Sequence, residues 1–132
     1  MLLDNQEIKR VLAIKLGNQQ DVMLTIPALQ KLRDLFKNAV ITLMSQEKQD
    51  ENIPWVDNIL LYKNANSFKN PEYELALIAK LREYAFDAAV IFTNPRESPY
   101  ALAYICYLAG IPIRIGQSQE FGGGVLSQNI EF

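Results

Sequence analysis

The chain has 132 residues, 49% hydrophobic and 21% charged, which suits one globular domain with a single core and excludes a disordered polymer. A net charge of −2 and a pI near 5.1 argue against a broad nucleic-acid-binding surface, leaving room only for a local patch that takes a phosphorylated ligand. There is no histidine, so this chain alone supplies no Ser-His-Asp triad, Cys-His pair or His-based zinc site, and acid–base work falls to Asp, Glu, Lys or Tyr. The single cysteine, Cys106, permits no internal disulfide and gives no sign of an oxidising compartment.

Residues 1–7 read as a polar lead, and Met1 to Arg10 holds no apolar signal-peptide core. Strand one is expected from Ile8 to Leu16; five of the six residues Val11 to Leu16 are apolar, as suits a strand covered on both faces. A turn through Gly17 leads into helix one, Asp21 to Phe36, with Val22, Ile26, Leu29, Leu32 and Phe36 as its apolar stripe. Pro27 lies inside this helix and removes one backbone hydrogen bond, so a bend or loosened turn is expected near residues 23–27. Ala39 to Ser45 forms strand two, Gln46 to Pro54 a polar loop, and Val56 to Tyr62 a shorter third strand near a sheet edge.

Lys63 to Asn70 reads as a loop, with Asn70 capping a second helix that begins at Pro71. The stripe of that helix is read as Leu75, Ile78, Leu81 and Tyr84, with Ala76 and Ala79 allowing close packing. Phe86 to Phe92 is strand four, and Thr93 to Pro99 is the loop at its carboxyl end. Helix three, Pro99 to Ala109, is apolar nearly all round and is read as buried, with Cys106, Tyr100, Tyr104 and Tyr107 as core or a packing surface. Gly110 and Pro112 stop it, and Ile113 to Gly116 is strand five. The longest apolar-rich run, Tyr100 to Ile113, is too short and interrupted to span a bilayer, which needs ~20 residues. A cytoplasmic location is expected, with peripheral attachment to a membrane surface compatible with the sequence.

Alternating strands and helices predict an α/β, Rossmann-like parallel sheet in the order 3-2-1-4-5, with right-handed crossovers and helices on both faces. Residues 1–132 are read as one domain, and residues 117–132 as a loop or tail leading toward a missing part of a longer protein. The strand order reverses between strands one and four, where ligands of open α/β sheets bind. Two loops face each other there, Gly17 to Asp21 and Thr93 to Glu97.

Asp21 has two compatible readings. It caps the helix start, where backbone N–H groups lack partners, and it can act as a general base, because the helix dipole favours its carboxylate. The turn Gly17-Asn18-Gln19-Gln20-Asp21 has one glycine and no Lys-Ser/Thr pair, so it is neither a P-loop nor a G-x-G-x-x-G fingerprint. The run Gly122-Gly123-Gly124 reads as a flexible loop. Arg96 and Glu97 either bind ligand or pair with each other in solvent. Arg114, a charge in a short strand, either pairs structurally or points a cation at the crevice.

Gly17 and Asp21-Val22-Met23-Leu24-Thr25-Ile26-Pro27-Ala28-Leu29 resemble the G-x-x-G-D-V-L-x-T-x-P-A-L segment of glycosyltransferase family 9, the ADP-heptose:lipopolysaccharide heptosyltransferases and their relatives. Ala39 to Met44 is similar to the second strand of that family, Val56-Asp57-Asn58-Ile59 to its D-V-D-E-V segment, and Tyr84 to Ile91 to its Y-D-x-V-I-D strand. Ala109 to Gly116 resembles its A-G-x-x-x-R-I-G close, so the resemblance runs collinearly over about residues 8–121. Gln20 stands where the family has glycine.

The resemblance implies the N-terminal half of a GT-B fold, which handles a glycan or lipid-linked acceptor, while a C-terminal domain absent from this chain binds the nucleotide-sugar donor. Asp21 matches the family's catalytic aspartate, implied to deprotonate the acceptor hydroxyl for an inverting transfer that needs no metal and no cofactor. Gly17, Asn18, Thr25, Thr93, Asn94, Arg96, Glu97 and Arg114 are the substrate-binding candidates beside it. On this reading the protein serves lipopolysaccharide biosynthesis or another glycan pathway, peripheral to the inner membrane, and the isolated chain lacks transferase activity. The rival expectation is a non-catalytic α/β module that binds a ligand or protein, with Asp21 only a cap.

Overall fold

β1 (Arg10–Ile14) is the strand on which both halves of the sheet are built. The computed structural model describes residues 8–17, 19–46, 53–62, 71–93, 100–116 and 128–129. The chain continues through α1 (Gln19–Leu35), β2 (Val40–Ser45), β3 (Asn58–Leu61), α2 (Pro71–Tyr84), β4 (Ala88–Ile91), α3 (Tyr100–Leu108), β5 (Ile113–Gly116) and β6 (Gln128–Asn129). The strand order is β3-β2-β1-β4-β5-β6, and every pairing is parallel. This is the expected α/β, Rossmann-like order with one addition. The segment 117–132, expected to be only loop or tail, returns two residues to the sheet, with Gln128 opposite Ile115 and Asn129 opposite Gly116.

The period of two along each strand sorts its side chains onto two covered faces. Val11 and Ala13 of β1, Ile41 and Leu43 of β2, and Ala88 and Val90 of β4 pack with Val22, Leu29, Leu32 and Phe36 from the α1 region. Leu12 and Ile14, Met44, Leu60, Ala89 and Ile91 pack on the other face with Leu77 and Leu81 of α2 and with Leu102, Ala103, Ile105 and Cys106 of α3. β1→β2 steps one way across the sheet, whereas β3→β4 and β4→β5 step the other way. Right-handed crossovers then put α1 on one face and α2 and α3 on the other. Ala88 and Ala89 have no exposed surface, which lets helices approach β4 closely from both sides.

Helix α1 is continuous through Pro27, and its predicted stripe is buried except for half-buried Ile26. Two other helical expectations need correction. In α2 the buried residues are Leu77 and Leu81, with Ile78 packed partly against them; Leu75, Ala76, Ala79 and Tyr84 are exposed. At 100° per residue, Leu77 and Leu81 point about 40° apart, whereas Leu75 and Leu81 point about 120° apart and cannot share one face. In α3, Tyr104, Tyr107 and Leu108 are exposed; the rings of Tyr104 and Tyr107 stack with centroids 6.3 Å apart. The expected loop Lys63 to Asn70, with the Asn70 cap, and the glycine run 122–124 lie outside the described residues. Among the described residues, no helix is long and apolar enough to cross a membrane.

The amino edge of the sheet is held by two aspartates, each immediately preceding a strand. Asp87 Oδ2 accepts the N–H groups of Lys9 (2.8 Å) and Arg10 (3.0 Å), tying the approach to β4 to the start of β1. Asp57 Oδ2 accepts the Ile41 N–H (2.8 Å), tying the approach to β3 to β2. Arg33, near the end of α1, reaches the same Asp57 oxygen at 2.7 Å and also donates to the carbonyls of Trp55 (3.1 Å) and Ala39 (2.8 Å). Burial pushes the Asp57 carboxyl up, but the Ile41 N–H and the Arg33 guanidinium outweigh it and hold the group below its ordinary value.

A carboxyl depressed in the folded state adds stability above its unfolded-state pKa, and that stability is lost as pH falls through the folded-state value. Chemical denaturation followed from neutral to acid pH should therefore show a shallower acid loss of stability in Asp57→Asn than in the parent. An unchanged acid limb would contradict this role for Asp57.

Candidate functional site

β1 ends facing β4 on one side and β2 on the other, at the point where the strand order reverses. Its ladder runs past the strand: Lys15 N–H donates to the Met44 carbonyl at 3.1 Å, and Phe92 N–H donates to the Ile14 carbonyl at 2.9 Å. Continuing that register by two residues brings Thr93 opposite Leu16, beside the turn that starts at Gly17. The site is therefore built at the carboxyl end of β1 and β4, with half-buried Thr93 on one wall and the mouth of α1 on the other.

Gly17 has φ +128°, a conformation that side chains disfavour. A Cβ added there would collide with Asp21 Oδ2 and lie only 3.0 Å from Asp21 Cβ and Cγ. The Asp21 carboxylate thus folds back over the bare Cα of Gly17, from the first turn of α1, and remains half-buried. Gln20, which replaces the family glycine, is exposed and lies within α1. Among the described non-glycine residues only Trp55 and Ala85 have positive φ, so the Gln20 position makes no demand for glycine here. Among the described residues of the turn, Gly17 provides the positive φ and the space for the Asp21 carboxylate.

Thr25 is buried, and its Oγ1 donates to the Asp21 carbonyl at 2.9 Å. That bond braces the turn presenting Asp21, two residues before Pro27, which has no N–H to give to the Met23 carbonyl. Thr25 therefore supports the site from within the helix and does not line it as a bare donor.

Arg114 takes the structural one of its two expected readings. Its guanidinium donates to the carbonyls of Ile111 (2.7 Å) and Pro112 (3.3 Å) and lies 5.2 Å from the centre of the Tyr107 ring. Ile111 and Pro112 precede β5, so the cation sits toward the amino edge of the sheet, away from the crevice. Asn18, Asn94, Arg96 and Glu97 lie outside the described residues. Cys106 is buried in α3, and burial, against the charge of Arg114, pushes its thiol up to about 12, which rules it out as a thiolate nucleophile.

Lys15 is a further residue at this end of β1, outside the candidates read from the sequence. It is 3% exposed and extends β1 toward Gly17. A lysine is rarely so buried without a purpose for its charge, and the argument applied to Arg114, a cation inside an apolar strand run, would have found it. Ser45, at the carboxyl end of β2, is fully buried beside it in the sheet order. Among the described residues, no group of three or more His, Cys, Asp or Glu is placed to hold a metal ion.

No protein-family model matches this chain, and no curated protein matches it. Among solved structures it is similar to the crystal structure of a glycosyl transferase family 9 protein from Veillonella parvula DSM 2008, with a TM-score of 0.75 and 20% sequence identity. That match covers 99% of this chain and 37% of the other, so the chain spans little more than a third of its neighbour's length. It is also similar to RSP, a Rex-family repressor, with a TM-score of 0.57 and 10% identity over 96% of this chain and 54% of that one. At these identities the likeness is one of fold: the chain has a glycosyltransferase family 9-like α/β fold.

Gly17→Ala should destabilise the chain by about 1–3 kcal/mol, because it combines a strained φ with a side-chain collision. Equilibrium urea unfolding measures this, and an unchanged midpoint would contradict the close packing of Asp21 on Gly17.

Proposed function

We propose that this chain is the N-terminal, acceptor-side domain of an inverting glycosyltransferase of the heptosyltransferase type. The observation that carries the reading is the Asp21 carboxylate, folded onto Gly17 at the crevice end of β1. The family 9-like fold and the collinear resemblance around Asp21 support it. A fold shared with a repressor does not choose a function by itself, so the choice rests on the site.

In the proposed reaction, Asp21 accepts the proton of an acceptor hydroxyl. The resulting oxygen attacks the anomeric carbon of a nucleotide-sugar from the side opposite the leaving group. The bond to the nucleoside diphosphate breaks, and the configuration at that carbon inverts. The general base must lie within hydrogen-bond reach of the hydroxyl it activates, and a half-buried carboxylate in the first turn of α1 suits that need. Thr93 borders the acceptor, and Thr25 and Gly17 hold the base in place. Asn18, Asn94, Arg96 and Glu97 are assigned to the same acceptor site on their sequence positions. The donor belongs to a second domain outside this chain, and lipopolysaccharide precursors are the proposed acceptor class. The work is assigned to the cytoplasmic face of the inner membrane.

Asp21→Asn in the full-length protein should lower kcat by about 10²–10⁴-fold, the usual range for a general base, with little change in thermal stability. Transfer assays with a nucleotide-sugar and a lipid-linked acceptor, run beside thermal unfolding, test this. Retained turnover, or loss of fold, would remove Asp21 from the role. An antibody raised against this chain, used on its source cells, reports the native mass. A product the size of this chain, with no separate donor-domain partner, would favour a non-catalytic binding module in which Asp21 is only a cap.

A further inference from the structure

β3 closes one side of the sheet: it pairs with β2, and among the described residues no strand lies beyond it. Tyr62, which follows β3, donates its N–H to the Ser45 carbonyl at 2.8 Å, toward β2. Backbone groups alternate in direction along a strand, so Leu60 also faces β2, whereas the N–H and C=O groups of Ile59 and Leu61 turn outward. Such a row is a template for another strand, and proteins commonly block it with charge, proline or a bulge. Asn58-Ile59-Leu60-Leu61 carries neither charge nor proline, and its register against β2 is unbroken.

The side chains beside this edge are also apolar on both faces. Ile59 is 43% exposed and level with Leu43, on the face that α1 covers further in. On the other face a groove of about 350 Å³ lies between β3 and α2, with Leu60 and Leu77 at its base. Tyr73, Ala76 and Lys80 form its α2 wall; they lie about a turn apart on one exposed stripe.

The order of these groups selects a second copy of the chain. Ile59 and Leu61 can exchange both backbone bonds with Leu61 and Ile59 of a copy running antiparallel. The twofold axis of that pairing passes through Leu60 and stands perpendicular to the sheet, so both α2 helices lie on one face and run antiparallel. Leu60 shares the groove with Ala76, and Tyr73 and Lys80 lie a turn to either side of Ala76. The axis therefore sets Tyr73 of each copy opposite Lys80 of the other, a ring facing a cation. Burial and the nearby charge of Glu74 push the Tyr62 phenol up, which puts Glu74 near the carboxyl end of β3. That is the end Lys80 of the other copy approaches, so unlike charges meet there.

We propose that β3 is the interface of a twofold dimer in which two copies join their β3 edges antiparallel into one continuous sheet, with Tyr73 and Glu74 of each copy meeting Lys80 of the other. The interface leaves the Gly17–Asp21 turn free and does not depend on the transferase reading.

The test is sedimentation of the full chain over rising protein concentration, with amide hydrogen exchange followed by NMR. The mass should rise from that of the monomer to twice that value, and the Ile59 and Leu61 N–H groups should gain protection in step. Ile59→Lys, at an exposed position of the edge, should abolish the dimer. Lys80→Glu should weaken it about 10-fold, because each contact occurs twice across the axis. Adding Glu74→Lys to Lys80→Glu should restore most of the loss. Lys80 is exposed and Glu74 half-buried, so neither charge change should move the thermal midpoint of the monomer. The proposal is overturned if the chain stays monomeric, if a dimer forms with the Ile59 and Leu61 amides unprotected, if Ile59→Lys or Lys80→Glu dimerises like the parent, or if the charge swap recovers nothing. Protection of those amides in a monomer would assign the edge to another segment of the same chain and would also overturn it.

Discussion

The absence of a single Cβ, at Gly17, sets the geometry of the crevice. The chain leaves a strand buried on both faces and must enter a helix within a few residues, with a carboxylate at the helix mouth. A side chain at Gly17 would meet the strain of φ +128° and the Asp21 carboxylate at once. With glycine there, the carboxylate settles on bare backbone, and the Thr25 hydroxyl braces the same turn from below. Everything proposed for this end of the molecule depends on that contact, because it fixes the direction in which the one crevice carboxylate among the motif aspartates points.

The sheet divides its work between its two ends. Three aspartates carry the resemblance to the glycosyltransferases: Asp21, Asp57 and Asp87. Asp57 and Asp87 spend their oxygens on backbone N–H groups at the amino edge, where Arg33 joins Asp57, and they lock the entry of β3 and β4 onto their neighbours. Arg10 adds a bond to the Tyr84 carbonyl at that same edge. Arg114 also belongs there, on the carbonyls before β5 and over the ring of Tyr107. The carboxyl edge keeps a different set: Asp21, Lys15 and Thr93 at the ends of β1 and β4, where the strand order reverses, and Ser45 on neighbouring β2. Stability chemistry and candidate reaction chemistry thus occupy opposite ends of the same strands, as open α/β sheets allow.

The strand order was legible because it follows from local facts. Apolar runs bounded by polar turns alternate with helical stripes, and right-handed crossovers leave few ways to arrange them. What failed was finer. In α2 the segment Leu75 to Leu81 offers apolar residues on several faces, and only the docking of the helix on the sheet selects Leu77 and Leu81. In α3 the tyrosines counted as apolar, yet they show one surface to solvent. β6 was illegible because two residues following a glycine run carry no periodicity; only pairing with β5 defines them. At the site, Gly17 and Asp21 were readable from their places around a strand-to-helix turn. For Arg114 two readings stay open in the sequence, because a position in a strand does not reveal toward which edge a long side chain turns back. Lys15 is hard to read because one lysine inside an apolar run looks like an interruption, whereas the fold buries it just beyond the end of β1.

The central claim is that Gly17 matters to function through Asp21. The most direct measurement is a double-mutant cycle in the full-length protein, comparing transfer rates of the parent, Gly17→Ala, Asp21→Asn and the double variant. If Gly17 serves to place the base, alanine at 17 will slow the parent strongly and will add almost nothing once Asp21 has become asparagine. Equal, additive losses in both backgrounds would show that the two residues act separately and would contradict the account.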